Sequence, residues 1–139
     1  MIEPTLALQA TIGNALAADP AVTAIVEPAN IRGGSLRPDA FPCILMGNGH
    51  TEFLGHASGS QYVARVSFDL HIWALEDGAD TAKTIGFVVM NALKQAPAGG
   101  SFDIDDFALP SVVWMRDPDP KQSYCHGVMI VEAVMRWAE

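Results

Sequence analysis

The chain has 139 residues, half of them hydrophobic, only 17% charged, and a formal net charge of −8. That length suits a single domain spanning residues 1–139. Eight Lys and Arg against sixteen Asp and Glu, with the bases scattered along the chain, exclude a phosphate-gripping surface and electrostatic docking on anionic lipid. Charge well under the usual quarter of residues leaves apolar surface that a small domain hides best between subunits.

In chain order, the opening of the chain reads as a helix. Glu3 caps it, Pro4 occupies the tolerated first turn, and Leu8, Ile12, Ala15 and Leu16 form one stripe. Asp19-Pro20 ends that helix and starts a shorter one over residues 21–26, which Pro28 stops. Residues 29–40 are turn-rich, with a short strand expected at 30–32. Residues 41–47 (FPCILMG) have strand length and composition, with Pro42 at the strand start or an edge. The glycine-rich stretch 47–61 reads as a long, mobile hairpin loop with a short strand at 51–54.

Residues 62–74 alternate over thirteen positions. Tyr62, Ala64, Val66, Phe68, Leu70, Ile72 and Ala74 form one face, and Val63, Arg65, Ser67, Asp69, His71 and Trp73 the other, so this is a half-buried strand. Glu76-Asp77-Gly78 turns into a helix over 79–95, striped by Ala82, Ile85, Gly86, Val89, Ala92 and Leu93. An acidic patch, Asp103, Asp105 and Asp106, precedes a strand at 109–115. A turn containing Asp117-Pro118-Asp119-Pro120 leads to a last strand at 123–137, with Met129, Val131, Ala133, Met135 and Trp137 on its apolar side. The order α-α-β-β-α-β-β predicts an α+β fold, a mainly antiparallel sheet with helices on one face.

Sequences that carry chemistry are missing. There is no G-x-S-x-G, Walker A, G-x-G-x-x-G, H-E-x-x-H or C-x-x-C pattern. His50 and His56 share a glycine-rich segment that preorganises metal ligands poorly. Cys125 and His126 are strand neighbours and point to opposite faces. Cys43 and Cys125 are expected as buried free thiols. No catalytic, cofactor or metal residue is assigned. Trp73 on the polar side of its strand, together with His50, Phe53 and His56, are the candidates for intersubunit contact. No leader and no apolar run of membrane-spanning length is visible, so synthesis in a cytoplasm is expected.

Four stretches in order resemble the tail terminator (tail-completion) family of long-tailed phages and phage-derived gene transfer agents. They are ADPAVTAIV leading into Asn30-Ile31-Arg32, the strand entry FPCILMG, the strand YVARVSFDLHIWA followed by GADTAKTIGFVVMNAL, and the closing HGVMIVEAVMRWAE. The resemblance implies a non-enzymatic virion protein at the head–tail junction. It would form a homo-hexameric ring that caps the tail tube, stops polymerisation and meets the neck. Its partners would be copies of itself, the major tail-tube protein and a neck or stopper protein, with DNA passing through unbound. Asp103, Asp105, Asp106, Asp117 and Asp119 would then be candidates to face the lumen. Competing readings are another head–tail joining or minor tail protein, and a small α+β ligand-binding module or enzyme with a concave pocket.

Overall fold

A computed structural model describes residues 3–75, 79–98, 100–116 and 124–138. The turns expected at 76–78 and 117–120, with Asp117 and Asp119, lie outside them. Helix α1 (Pro4–Ala17) begins as its sequence dictates: the Glu3 carboxylate accepts from the Leu6 N–H at 3.1 Å, and Leu8, Ile12 and Leu16 are buried. Helix α2 (Pro20–Thr23) is one turn long, shorter than expected; Asp19 caps the Ala21 and Val22 N–H groups. A 3-10 turn (Pro28–Asn30) leads into strand β1 (Ile31–Gly33). Three fifteen-residue strands follow, β2 (Cys43–Ala57), β3 (Gln61–Leu75) and, later, β6 (Tyr124–Ala138). Between β3 and β6 come helix α3 (Asp80–Ala92), which ends three residues early, and strands β4 (Asp103–Phe107) and β5 (Ser111–Arg116).

The fold is α+β, and the expected element order holds with two short strands added. The sheet order is β1-β2-β3-β6-β4, with β5 also on β6. All pairings are antiparallel except β1 with β2. Strands β4 and β5 both lie along the same side of β6, joined by an Ala108 N–H donated to the Glu132 carbonyl, so they form one edge interrupted where Pro110 cannot donate. The alternation at 62–74 appears as read: Ala64, Val66, Phe68, Leu70, Ile72 and Ala74 point under the helices, joined by Met129, Val131, Ala133, Met135 and Trp137 of β6. One face is thus roofed by α1, α2 and α3; the other carries no helix.

One expectation fails, and one strand is new. Residues 47–57 are not a loop: β2 continues through them, paired with β3 down to Ala57↔Gln61 and interrupted by two bulges. Only 58–60 turn the chain, with Gly59 and Ser60 in the left-handed region. The three acids precede the expected strand, now β5, but they also form a short strand of their own that the sequence reading did not include. β4 pairs Asp103 with Arg136 and Ile104 with Met135.

The outer half of β2 is tied to α1. The Thr51 hydroxyl donates to Glu3 at 2.9 Å and lies 2.7 Å from the Thr5 hydroxyl. A Cβ on Gly49 would come within 2.2 Å of the Thr5 methyl, so this close approach requires glycine. Burial raises the Glu3 carboxyl, but donation from the Thr5, Thr51 and Leu6 groups outweighs it and leaves it below its ordinary value. Thr51→Val should cost about 1 kcal/mol in chemical denaturation by removing the hydroxyl that holds both partners. An unchanged midpoint would show that the tie is not structural.

Candidate assembly surface

Register assigns each side chain of the helix-free face. Glu52 and Arg65 are paired neighbours there, as are Ser67 and Glu132, and Asp103 and Arg136. Its acids are Glu52, Asp69, Glu132, Asp103, Asp105 and Asp106. Its bases are Arg32, level with Leu45 and His71 and 3.5 Å from Asp39 of the adjoining loop, Arg65, 3.4 Å from Glu52 and 3.6 Å from Glu132, and Arg136. Arg136 grips Asp105 through two bonds of 2.9 and 3.1 Å, reaches Asp103 at 3.4 Å, and donates to Gln61 at 2.8 Å. The bidentate bond to Asp105 raises the guanidinium pKa further above its already high value, against a smaller opposing cost of desolvation. The face is therefore acidic after its internal pairing.

At one end of this face a loop lies over β2. Arg32 donates to the carbonyls of Gly33, Ser35 and Arg37 and draws residues 33–37 together. Leu36 covers Gly47, and Phe41 stacks on Tyr124 at 4.2 Å between ring centres. Cys43 and Leu45 are buried beneath, although no helix covers them. Cys43 and Cys125 are buried thiols outside any disulfide, as expected, and burial pushes the Cys43 thiol up to about 11; Arg32 lowers it and Asp39 adds to the rise.

Beside them sits an aromatic stack that the sequence did not reveal. Trp73 lies flat on His126 with ring centres 3.8 Å apart, and His71 Nδ1 is 2.8 Å from His126 Nε2. Cross-strand pairing of Trp73 with His126 causes this, and no single-strand pattern contains that information. Burial lowers the His71 pKa, and the nearby Asp69 offsets part of that shift. A folded-state pKa below the unfolded value near 6.5 means that the unfolded chain binds protons more readily. Stability is then fully present above about pH 6.5 and falls as the pH drops below it toward the folded pKa. Thermal midpoints at pH 7.5 and 5.5 should show this loss, and His71→Asn should remove most of it. Equal pH dependence in the variant would exclude His71 as the source.

The four contact candidates do not converge. Trp73 is half-buried in that stack. His50, opposite Ser67, is exposed on the same face but in the outer half of β2. Phe53 and His56 lie on the other face, where His56 meets Tyr62 at 4.8 Å and Phe53 meets Trp137 at 5.9 Å. Phe53 nevertheless remains 68% exposed. Sequence reading missed a second apolar region around β5: Leu109, Val113, Met115 and Ile130 are all exposed. Residues 109–115 were read as a strand, but the largely apolar run LPSVVWM did not say which of its sides faced solvent.

A groove of about 450 Å3 runs between α1 and the segment entering β4, lined by Ala7, Ala10, Thr11, Ala15, Phe102, Ile104, Met135 and neighbours. Its lining is mostly apolar, with Thr11, Asn14 and Ser101 as its polar members, and brings no charged groups together, which does not suit an acid–base catalytic site. Among the described residues no group of three or more His, Cys, Asp or Glu is placed to hold a metal ion, and no helix is long and apolar enough to cross a membrane.

The family model of Tail completion protein gp17 matches residues 10–136. No curated protein matches the chain. Among solved structures, a chain from the virion of a native gene transfer agent particle superposes with a TM-score of 0.71 at 18% identity, covering 93% of this chain and 94% of that one. The gp17 protein of bacteriophage SPP1 gives 0.54 at 23% identity, covering 94% and 89%. At these identities the two structures establish a shared fold, and the family match extends over nearly the whole length. The chain belongs to the Tail completion protein gp17 family, structural proteins of the virion that complete the tail.

Proposed function

We propose that this protein acts as a tail terminator: copies close into a ring, six in number, on the head-proximal end of the tail tube. The ring stops tube polymerisation and presents the surface that joins the neck. It has no catalytic role. The observation that carries this reading is the helix-free sheet face, built on strands of fifteen residues and left acidic after its own ion pairs. A sheet with all its helices on one side can curve around a channel with its bare side inward. Acidic groups there repel DNA phosphates and let the duplex pass without being held. Asp103, Asp105 and Asp106 belong to that lining.

Electron microscopy of tails assembled with and without the protein tests this. Tails made without it should vary in length and fail to join heads, and adding it should restore one length. Tails of unchanged length and normal joining in its absence would overturn the reading. Replacing Asp69, on the same face but on the central strand β3 and away from both sheet edges, with Lys should preserve tail length and slow DNA release.

A further inference from the structure

The sheet has two open edges, and their positions are related. Strand β1 pairs only with Ile44, Leu45 and Met46, so the backbone of β2 beyond Met46 has no strand on its outer side. On the far side of the sheet, β4 is likewise an edge. Cross-strand register sets the two at one height: Glu52, Arg65, Val134 and Asp106 form one row, and Phe53, Ala64, Met135 and Ile104 the next. Successive antiparallel pairings make β2 and β4 run in opposite directions. A second copy set alongside therefore meets the first as an antiparallel ladder, the arrangement that satisfies unpaired edge groups directly.

Charge and shape favour this pairing over an edge meeting itself. Joining β4 to another β4 would crowd two sets of Asp103, Asp105 and Asp106. In level register, Glu52 of one copy would oppose Asp106 of the next, which is also repulsive. An offset of two residues places His50 beside Asp106 instead, the one acid of the three that Arg136 does not bind, and sets Glu52 against Asp103, each of which has its own arginine at 3.4 Å, Arg65 and Arg136. The same offset brings Phe53 to the level of Phe102, which lines the 450 Å3 groove together with Ala10, Pro97, Ile104 and Met135. Phe53 is a mostly exposed aromatic side chain, and the groove is mostly apolar and empty of side chains.

We infer that the subunits join head to tail, the outer half of β2 in one copy pairing with β4 of the next, with Phe53 seated in the neighbour's groove. The inference rests on the ring reading above. Different patches meet at such an interface, and repetition of one rotation closes the ring.

The test is disulfide trapping in purified tails. His50→Cys and Asp106→Cys are placed together in one chain, and each is also made alone; native Cys43 and Cys125 are buried. Mild oxidation of tails carrying the double variant should give a ladder of covalent species ending at the full ring, while each single variant stays monomeric. Phe53→Ser added to the double variant should reduce the linked fraction by roughly tenfold, the scale of a buried anchor residue. A ring visible by microscopy that yields no ladder would overturn the pairing and leave the ring reading standing. Single variants that dimerise would also overturn it, because the interface would then be two-fold. Tails that carry no ring would remove both proposals.

Discussion

Gly127→Ala is expected to destabilise the protein by about 1–3 kcal/mol, the usual cost of forcing extra atoms into a packed site. The Trp114 ring, carried by β5, lies directly over Gly127 of β6. A Cβ there would stand 2.5 and 2.8 Å from ring carbons Cζ3 and Cε3. The ring cannot retreat, because on its other side a Cβ at Gly86 of α3 would stand 2.7 Å from Cζ2. Trp114 is thus wedged between sheet and helix, with a glycine on each side to admit it. The corresponding change in the helix, Gly86→Ala, should cost less, since alanine gains about 1 kcal/mol of helix propensity that offsets part of the clash. Thermal and chemical denaturation would measure both. Combining Gly127→Ala with Trp114→Leu should recover at least about 1 kcal/mol relative to the sum of the single effects. Strict additivity would mean that the two residues do not meet as described.

Replacing residues 50–57 by a Gly/Ser linker of equal length should cost a few kcal/mol. The segment contributes seven cross-strand pairs with β3, each worth about 0.2–1 kcal/mol. It also carries Phe53 and His56, whose rings meet Trp137 and Tyr62, and Thr51, which ties down α1. Against a total stability of about 5–15 kcal/mol this is a large share, and the denaturation midpoint should fall clearly. Had the segment been a loop, the linker would have left the fold intact and affected only assembly. A variant with the parent's midpoint would restore that view. A variant that folds at low temperature but no longer joins its neighbour would separate the two roles of β2, inner support and outer edge.

The candidate site was less legible than the fold, for reasons particular residues show. The acids at 103–106 were visible, but pairing with β6 was needed to bring Arg136 to two of them across thirty residues of chain and leave Asp106 apart. Trp73 was correctly set on the polar side of its strand. Its stacking partner His126 belongs to a strand that arrives only after a helix and two further strands.

By itself the sequence determined the features governed by neighbours along the chain. Glu3-Pro4 and Asp19-Pro20 start helices because caps and prolines act within one turn. Residues 62–74 declare a strand because alternation has one meaning over that length. Their order was enough for the α+β fold and the resemblance to a tail-completion family. Tertiary structure decided the character of residues 47–57. Their glycines suggested a loop, since glycine is the residue of turns. Gly49 is glycine because Thr5 of another element presses against its backbone, and Gly55 because a bulge holds it at φ 131°. The same holds for Gly127 and Gly86, whose missing side chains are spaces occupied by Trp114. A residue's lack of a side chain is recorded in the sequence, but what fills the space comes from another part of the chain, and only folding brings it there.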